Sequence, residues 1–185
     1  DVTVERSTFV GNRAGTRDGG AIFDSGAGAV VEITDTLLSG NQALGGRGGA
    51  IALTEPQAQF SGEVDVRRTS LIGNQAQTGG AVYSTPGAVW INSTFAENVA
   101  SIAGGAIYVD GDGNLGGFYG TIAGNSAPEG ANIATDRGSG IQNMITTVIV
   151  EPRGGGQNCN ERINGPASHT DDGSCFPSEG PALLG

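Results

Sequence analysis

Residues 40–51 read GNQALGGRGGAI, and close variants of this phrase occur at three other places in the chain. The variants are GNRAGTRDGGAI at 11–22, GNQAQTGGAV at 73–82 and ENVASIAGGAI at 97–107. Aligning the phrases on their asparagine, and adding one more copy downstream, gives Asn12, Asn41, Asn74, Asn98 and Asn125. These asparagines recur at intervals of 24 to 33 residues. Self-similarity in this range is typical of solenoid proteins, in which each repeat stacks on its neighbours.

Short apolar segments flank each copy of the phrase and predict strands. An apolar side chain lies three residues before each aligned asparagine: Phe9, Leu38, Leu71, Phe95 and Ile122. Alternating pairs lie further upstream: Val2/Val4, Val31/Ile33, Val64/Val66 and Val89/Ile91. Period-two β-branched residues indicate strands, and no segment has the pattern of a long helix. The sequence therefore predicts an all-β fold, a parallel β-helix of about five coils with Ile51 and Leu71 buried, and coils of this length favour the right-handed form.

The repeated phrase has a structural interpretation and a functional alternative. Stacked coils place equivalent residues about 4.8 Å apart, so the aligned asparagines are expected to form a column of amides that hydrogen-bond to one another and to the turn backbone. The Gly-Gly pair suits a sharp corner that has no room for a Cβ. The alternative is that the asparagines bind a ligand or metal. A ligand site is not expected to be copied five times with equal fidelity, so the phrase is interpreted as structural.

Composition limits the partners that the chain can have. The 185 residues include 34 glycines and carry a formal net charge of −10, and all nine basic residues are arginines. This balance disfavours nucleic acid and anionic membranes as partners, because both need a basic patch. No apolar run approaches the length of a membrane span, so direct membrane insertion of this segment is not expected. No secretory signal opens the sequence at Asp1, and we expect a mature or trimmed piece of a longer protein.

The phrase GN-x-A…GGAI, together with the F-x-x-N strings that end at Asn12 and Asn98, resembles the repeats of bacterial right-handed β-helix surface proteins. Among these are the polymorphic outer-membrane proteins. The resemblance covers roughly residues 1 to 135. It implies an extracellular location, either on the bacterial cell surface or secreted. It also implies a structural or adhesin-like role in assembly or attachment, with other surface proteins, further copies of the chain or surface glycans as partners.

The composition changes near residue 150, which divides the chain into β-helix repeats at 1–150 and a loop-rich tail at 151–185. The tail holds the only two cysteines, Cys159 and Cys175. In a secreted protein such a pair is expected to form a disulfide that closes a loop. The alternative is a zinc site that adds His169 and Asp171 or Asp172, although no C-x-x-C or H-x₃-H pair is present. The layout NC…DDGSC…PALLG also resembles the segment that follows the β-helix in proteins with a choice-of-anchor surface-attachment region.

Few residues have the pattern of a catalytic or metal site. The stretch Asp110-Gly111-Asp112-Gly113-Asn114 is similar to part of a calcium loop, but no glutamate closes it, and a turn between two strands is the simpler interpretation. The single histidine, His169, lies in the tail, which argues against a nucleophile–histidine–acid arrangement on the coils. We therefore expect no enzyme activity and no cofactor. The alternative function is a carbohydrate-binding or polysaccharide-cleaving β-helix.

One possible binding surface follows from strand alternation. If Ile22, Ile51, Val82 and Ile107 point inward, the residue after each of them points outward, and together these form one column. That column contains the aromatic residues Phe23, Tyr83 and Tyr108. Exposed aromatic rings in a row are suited to stacking on sugar rings or on a partner protein. The alternative is that a nearby loop, at 53–60 or 85–89, covers them.

Overall fold

A computed structural model describes residues 1–54, 62–111, 113–136, 142–163, 165 and 167–176 of the chain. These residues form strands joined by turns, and none of them forms a helix that is long and apolar enough to cross a membrane. In chain order the strands are β1 (Val2–Glu5), β2 (Thr8–Val10), β3 (Ile22–Asp24), β4 (Val30–Thr34), β5 (Leu37–Ser39), β6 (Gln42–Arg47), β7 (Ile51–Leu53), β8 (Glu63–Arg67), β9 (Ser70–Ile72), β10 (Gln75–Thr78), β11 (Val82–Ser84), β12 (Gly87–Ile91), β13 (Thr94–Ala96), β14 (Val99–Ala103), β15 (Ile107–Val109), β16 (Asn114–Phe118), β17 (Thr121–Ala123), β18 (Ile133–Thr135), β19 (Gln142–Ile145), β20 (Val148–Val150) and β21 (His169–Thr170).

The strands stack into parallel sheets that run along the molecule. Their orders are β1-β4-β8-β12-β16-β19, β2-β5-β9-β13-β17-β20-β21, β14-β10-β6 and β18-β15-β11-β7-β3. Successive coils contribute strands to these sheets in turn, with three coils supplying the sheet β14-β10-β6, and the strands pair in parallel with their equivalents in the neighbouring coils. The predicted parallel β-helix of about five coils is confirmed.

The core is a narrow column of inward-facing side chains at equivalent positions in successive coils. In one column Leu38, Leu71, Phe95, Ile122 and Ile149 lie in register and are buried. A second column holds Ile22, Ile51, Val82, Ile107 and Ile133. Both Ile51 and Leu71 are fully buried, as predicted from the pattern. Because each coil adds only a thin apolar layer, the stack as a whole supplies the hydrophobic stabilisation.

The fourth coil places Trp90 in the core. Val64 pairs with Ala88 and Val66 pairs with Trp90. Val89 therefore aligns with Asp65 on the outer face, and fully buried Trp90 points into the core. The β-branched pair Val89/Ile91, which predicted this strand, lies on its outward side.

The following coil makes room for the Trp90 ring with glycines. A Cβ at Gly117 would lie 2.5 Å from the indole Cε2 atom, and one at Gly120 would lie 2.7 Å from Cδ1. Phe95 packs edge-on against the same ring, with 5.7 Å between the ring centroids. The Trp90 ring thus fills the volume that side chains at positions 117 and 120 of the next coil would otherwise occupy.

The Gly-Gly pair forms the corner before Ile22, Ile51, Val82 and Ile107. Gly48 has a φ of +65°, which a side chain disfavours. Gly49 has no such backbone requirement, but its Cβ would overlap the carbonyl oxygen of Gly80 in the next coil and lie 2.5 Å from the backbone nitrogen of Gln75. The first glycine therefore permits the turn, and the second permits the close approach of the next coil.

The segment after Glu151 continues to pair with the last coil. Arg153 bridges to Ser126, Cys159 bridges to Ile133, and β21 pairs with β20. Cys159 and Cys175 form a disulfide, and both are buried in the same apolar cluster as the coils. The zinc alternative for these cysteines is wrong, because their sulfur atoms are bonded to each other. The PALLG string of the tail lies outside the described residues.

Candidate functional site

The five predicted asparagines lie in one continuous hydrogen-bonded column, which we call the amide ladder. In its central step, the Oδ1 atom of Asn74 accepts from both the backbone N–H and the Nδ2 atom of Asn41, each at 2.9 Å. The Nδ2 atom of Asn74 donates to Oδ1 of Asn98 at 2.9 Å and to the carbonyl oxygen of Leu38 at 3.0 Å. Asn12 to Asn41 and Asn98 to Asn125 repeat the step between asparagines.

The amide ladder satisfies its own buried polar groups and has a direction. Asn41, Asn74, Asn98 and Asn125 are fully buried, while Asn12 at the first coil is exposed. At every step between asparagines the acceptor oxygen belongs to the later coil, so one amide hydrogen of each donor points toward the C-terminal end. The other amide hydrogen of Asn41, Asn74 and Asn98 bonds to a backbone carbonyl of the preceding coil. An unpaired amide donor in a buried position is costly, and the last donor of the amide ladder therefore needs an acceptor.

The amide ladder changes column after Asn125. Arg153 pairs with Ser126 in register, so the position equivalent to Asn125 in the next coil is Pro152. Proline has no side-chain amide. Asn125 instead donates to Oδ1 of Asn132 at 2.6 Å, and Asn132 donates to Oδ1 of Asn158. Both Asn132 and Asn158 were missed in the sequence. The available signal was the replacement of Gly-Gly-Ala-Ile by Gly-Ala-Asn-Ile at residues 130–133, which puts an amide in place of an inward alanine.

Two carboxylates of the disulfide-closed loop accept the final donors. Asn158 donates through Nδ2 to Oδ1 of Asp171 at 2.6 Å, and its backbone N–H donates to Oδ2 of Asp172 at 2.7 Å. Burial raises the pKa of Asp172, but hydrogen bonds from Asn158 and Ser174 to its carboxylate outweigh burial, and the net pKa lies below its usual value. The loop between the cysteines thus caps the amide ladder with negative charge.

A shorter ladder of hydroxyl groups runs along a second turn and was not predicted. Each backbone N–H in it donates to a hydroxyl one coil later: Ser7 to Thr36, Thr36 to Thr69, and Thr69 to Ser93, all at 3.2 Å. The following coil has Gly120 at this turn, beside the Trp90 ring. Both ladders connect neighbouring coils.

The predicted outward column is present in the register, but it is not uniformly exposed. Phe23 aligns with Ala52, Ala52 with Tyr83, and Tyr83 with Tyr108. Phe23 is 50% exposed, Tyr108 is half-buried, and Tyr83 is only 2% exposed. The expectation of an exposed aromatic row is therefore wrong at Tyr83, because polar neighbours and the Tyr108 ring surround it.

Tyr83 is the centre of a network that links several coils. The guanidinium of Arg47 lies 4.4 Å from the centroid of the Tyr83 ring, and its Nη1 donates to the Tyr83 hydroxyl at 2.8 Å. That hydroxyl donates to Asp110, and the Tyr108 ring stacks on Tyr83 with 5.8 Å between centroids. Burial raises the pKa of Tyr83, and the hydrogen bond to Asp110 raises it further, so the phenol stays protonated. Arg47 also holds Asp18, which completes the network.

The carboxylate of Asp110 is therefore engaged by a protein donor, and Asp112, the second acidic residue of the calcium-like stretch, lies outside the described residues. Among the described residues, no group of three or more His, Cys, Asp or Glu side chains is arranged to hold a metal ion.

Two segments of the chain match a known family repeat. Residues 6–25 and 92–110 each run from the turn before an inward phenylalanine, through the ladder asparagine and the Gly-Gly corner, to the strand that follows. Both match the Chlamydia polymorphic membrane protein repeat. The resemblance to a β-helix surface protein of this kind is thus confirmed. No curated protein and no solved structure matches the chain.

The matched repeat indicates the kind of location in which proteins with this repeat are found. Polymorphic membrane proteins are outer-membrane surface proteins, which is consistent with a bacterial surface location for this chain. Within the matched segments, Asn12 and Asn98 belong to the amide ladder, and Gly20 and Gly105 allow the close approach of the next coil. The matched segments thus contain residues that stack the coils.

Proposed function

We propose that the chain is a rigid, non-catalytic segment of an extracellular bacterial surface protein, which mediates assembly or attachment. The observation that carries the proposal is that the repeated residues contact neighbouring coils. The ladder asparagines hydrogen-bond to neighbouring coils, and the corner glycines lie against neighbouring backbone. The repeated asparagines and corner glycines are therefore used within the fold, and the repeats serve to extend a stable surface.

The remaining polar residues support a role without turnover. His169, the only histidine, is exposed on the short strand β21 and pairs through its backbone with Val148. A polar network outside the two ladders joins Arg47, Tyr83 and Asp110, and its donors and acceptors satisfy one another. A general acid or base needs a proton to exchange with substrate, and neither arrangement presents one in a cleft.

Charge indicates the kind of partner. With a net charge of −10, the chain repels extended polyanions at low salt. Other surface proteins, further copies of the chain and surface glycans remain as partners.

The proposal is tested with the purified 185-residue chain in two assays. In the first, beads coated with the folded chain are counted on bacterial and animal cell layers, with beads coated with heat-unfolded chain as the control, and self-association is measured by light scattering. We expect retention of the beads or association of the chain that depends on folding. In the second, the chain is incubated with acidic and neutral polysaccharides, and no new reducing or unsaturated ends should appear. Measurable turnover, or neither retention nor association, would contradict the proposal.

A further inference from the structure

The corner of the first coil carries a surface pocket of about 460 Å³, which we call the Phe23 pocket. Its lining is formed by Ala14, Thr16, Arg17, Asp18 and Phe23. The volume lies within the range of pockets that hold small molecules. The pocket combines an apolar wall with a few charged and hydroxyl groups, which is the usual composition of a ligand site.

Features of the first two coils create this pocket. The Phe23 ring projects outward and is 50% exposed, and its neighbour in the column is the small residue Ala52. The opposite wall is a loop that lies over the glycines of the next coil. A Cβ at Gly45 would lie 2.9 Å from Cα of Thr16, and one at Gly46 would lie 2.6 Å from the carbonyl carbon of Arg17. The loop keeps its position because these two residues have no side chains.

The two charged residues that line the pocket, Asp18 and Arg17, differ in how they are paired. Asp18 is paired: its Oδ2 accepts from Nη2 of Arg47 at 2.7 Å and from Nε at 3.1 Å, and its Oδ1 accepts from the Arg47 backbone N–H at 2.8 Å. Arg17 is exposed, and within the described part of the chain no hydrogen bond or ion pair joins its guanidinium to a carboxylate. The pocket therefore presents one uncompensated cation beside an aromatic ring.

We propose that the Phe23 pocket binds a single sugar residue that carries a carboxylate, of the uronic or sialic acid class. The apolar face of the sugar ring packs on Phe23, and its carboxylate pairs with the guanidinium of Arg17, whose planar fork suits carboxylate recognition. Ring hydroxyls are within the reach of Thr16 and Asp18, which line the same pocket. This inference rests on the proposed attachment function and names the chemistry of one contact.

The net negative charge of the chain is compatible with such a ligand. Screening limits electrostatic interactions between exposed charges to about 8–10 Å at physiological salt. A single acidic sugar therefore responds mainly to Arg17 and to the Arg47–Asp18 pair, whereas an extended polyanion would also meet the acidic surfaces of the later coils. The site thus favours a terminal acidic sugar over an acidic polysaccharide.

The test is ligand-observed NMR titration of the 185-residue chain with methyl glucuronide, N-acetylneuraminic acid and the neutral methyl glucoside. A ligand of this size in an open pocket is expected to bind with a Kd of about 1 mM. We expect the better of the two acidic sugars to bind about 10-fold more tightly than the glucoside in low salt, and the difference should shrink as salt is added.

Matched variants separate the two contacts. Phe23→Ala should weaken binding of the acidic sugar about 10-fold, whereas Leu44→Ala, at an exposed apolar residue outside the pocket, should leave it unchanged. Arg17→Gln should lower the affinity for the acidic sugar to that for the glucoside. Arg13→Gln is the control, because Arg13 is also exposed but does not line the pocket.

Three results would overturn the inference. The first is that neither acidic sugar binds at about 10 mM, a concentration well above the expected Kd of about 1 mM. The others are equal affinity for the acidic sugars and the glucoside, and equal effects of the Arg13 and Arg17 variants. The bead assay distinguishes failure of this inference from failure of the proposed function. Beads carrying the Phe23→Ala chain that attach as well as the original would show attachment through another surface.

Discussion

The amide ladder predicts a graded response to the loss of one asparagine, and Asn74→Ala is the most informative substitution. Removing this side chain takes the acceptor from the Asn41 backbone N–H and the donor from the Leu38 carbonyl. Both groups lie in the buried interior of the stack. A buried group left without its partner costs about 1–3 kcal/mol, so the two groups together give a loss of about 2–6 kcal/mol.

Asn12→Ala is the matched control, because Asn12 occupies the exposed end of the same ladder. Its side chain donates once, to Oδ1 of Asn41 at 2.8 Å, and that oxygen keeps the backbone N–H of residue 12 as a donor after the substitution. No buried group is left without a partner. The expected loss is below about 1 kcal/mol.

Urea unfolding followed by the fluorescence of Trp90 measures both effects. Trp90 is the single tryptophan and is fully buried, so its emission reports loss of the core. Linear extrapolation gives the free energy of unfolding of each variant, and an unchanged slope shows that the same amount of structure unfolds. Equal losses for the Asn12 and Asn74 variants, or a loss below about 1 kcal/mol for Asn74→Ala, would refute the reasoning.

The remaining predictions concern the corner, the core and the cap. Gly49→Ala should destabilise the fold by about 3 kcal/mol or more, because its Cβ would overlap the Gly80 carbonyl. Gly40→Ala, in open space at a φ of +63°, should cost about 1–2 kcal/mol, and urea unfolding that ranks the two variants equally would contradict this. Leu71→Ala should cost about 2–5 kcal/mol, because the side chain is fully buried, and an unchanged urea midpoint would exclude the register. Since the pKa of Asp172 is lowered in the folded chain, its stabilisation is present at neutral pH and is lost as pH falls from about 3.9 toward the lower folded pKa. Asp172→Asn should therefore flatten the acid limb of a stability–pH curve, and an unaltered limb would exclude the cap.

The predictable part of this molecule was the part that repeats. The asparagine spacing and the Gly-Gly pairs predicted the number of coils and the amide ladder, because stacking places equivalent residues over one another. Asn132 and Asn158 were not predicted as members of the amide ladder, because the ladder changes column where Pro152 interrupts it. That change depends on contacts between coils, which the spacing of one repeat does not contain.

Burial on the outer face was less predictable than the register. Strand alternation placed Phe23 and Tyr83 in the same outward column, but only contacts from other coils decide which of them is exposed. Arg47 and Tyr108 cover Tyr83, while Phe23 at the first coil stays half exposed. Likewise, the β-branched pattern of Val89 and Ile91 predicted their strand but did not indicate which side of it faces the core.

Hydrogen exchange of the asparagine side-chain amides is the most direct test of the central claim, that the repeated asparagines hold the coils together. Amide protons in a buried, fully bonded column exchange only through opening of the structure, so the Nδ2 protons of Asn74 and Asn98 should exchange at least about 100-fold more slowly than those of exposed Asn92. Exchange of the Asn74 and Asn98 protons at the rate of Asn92 would contradict the account.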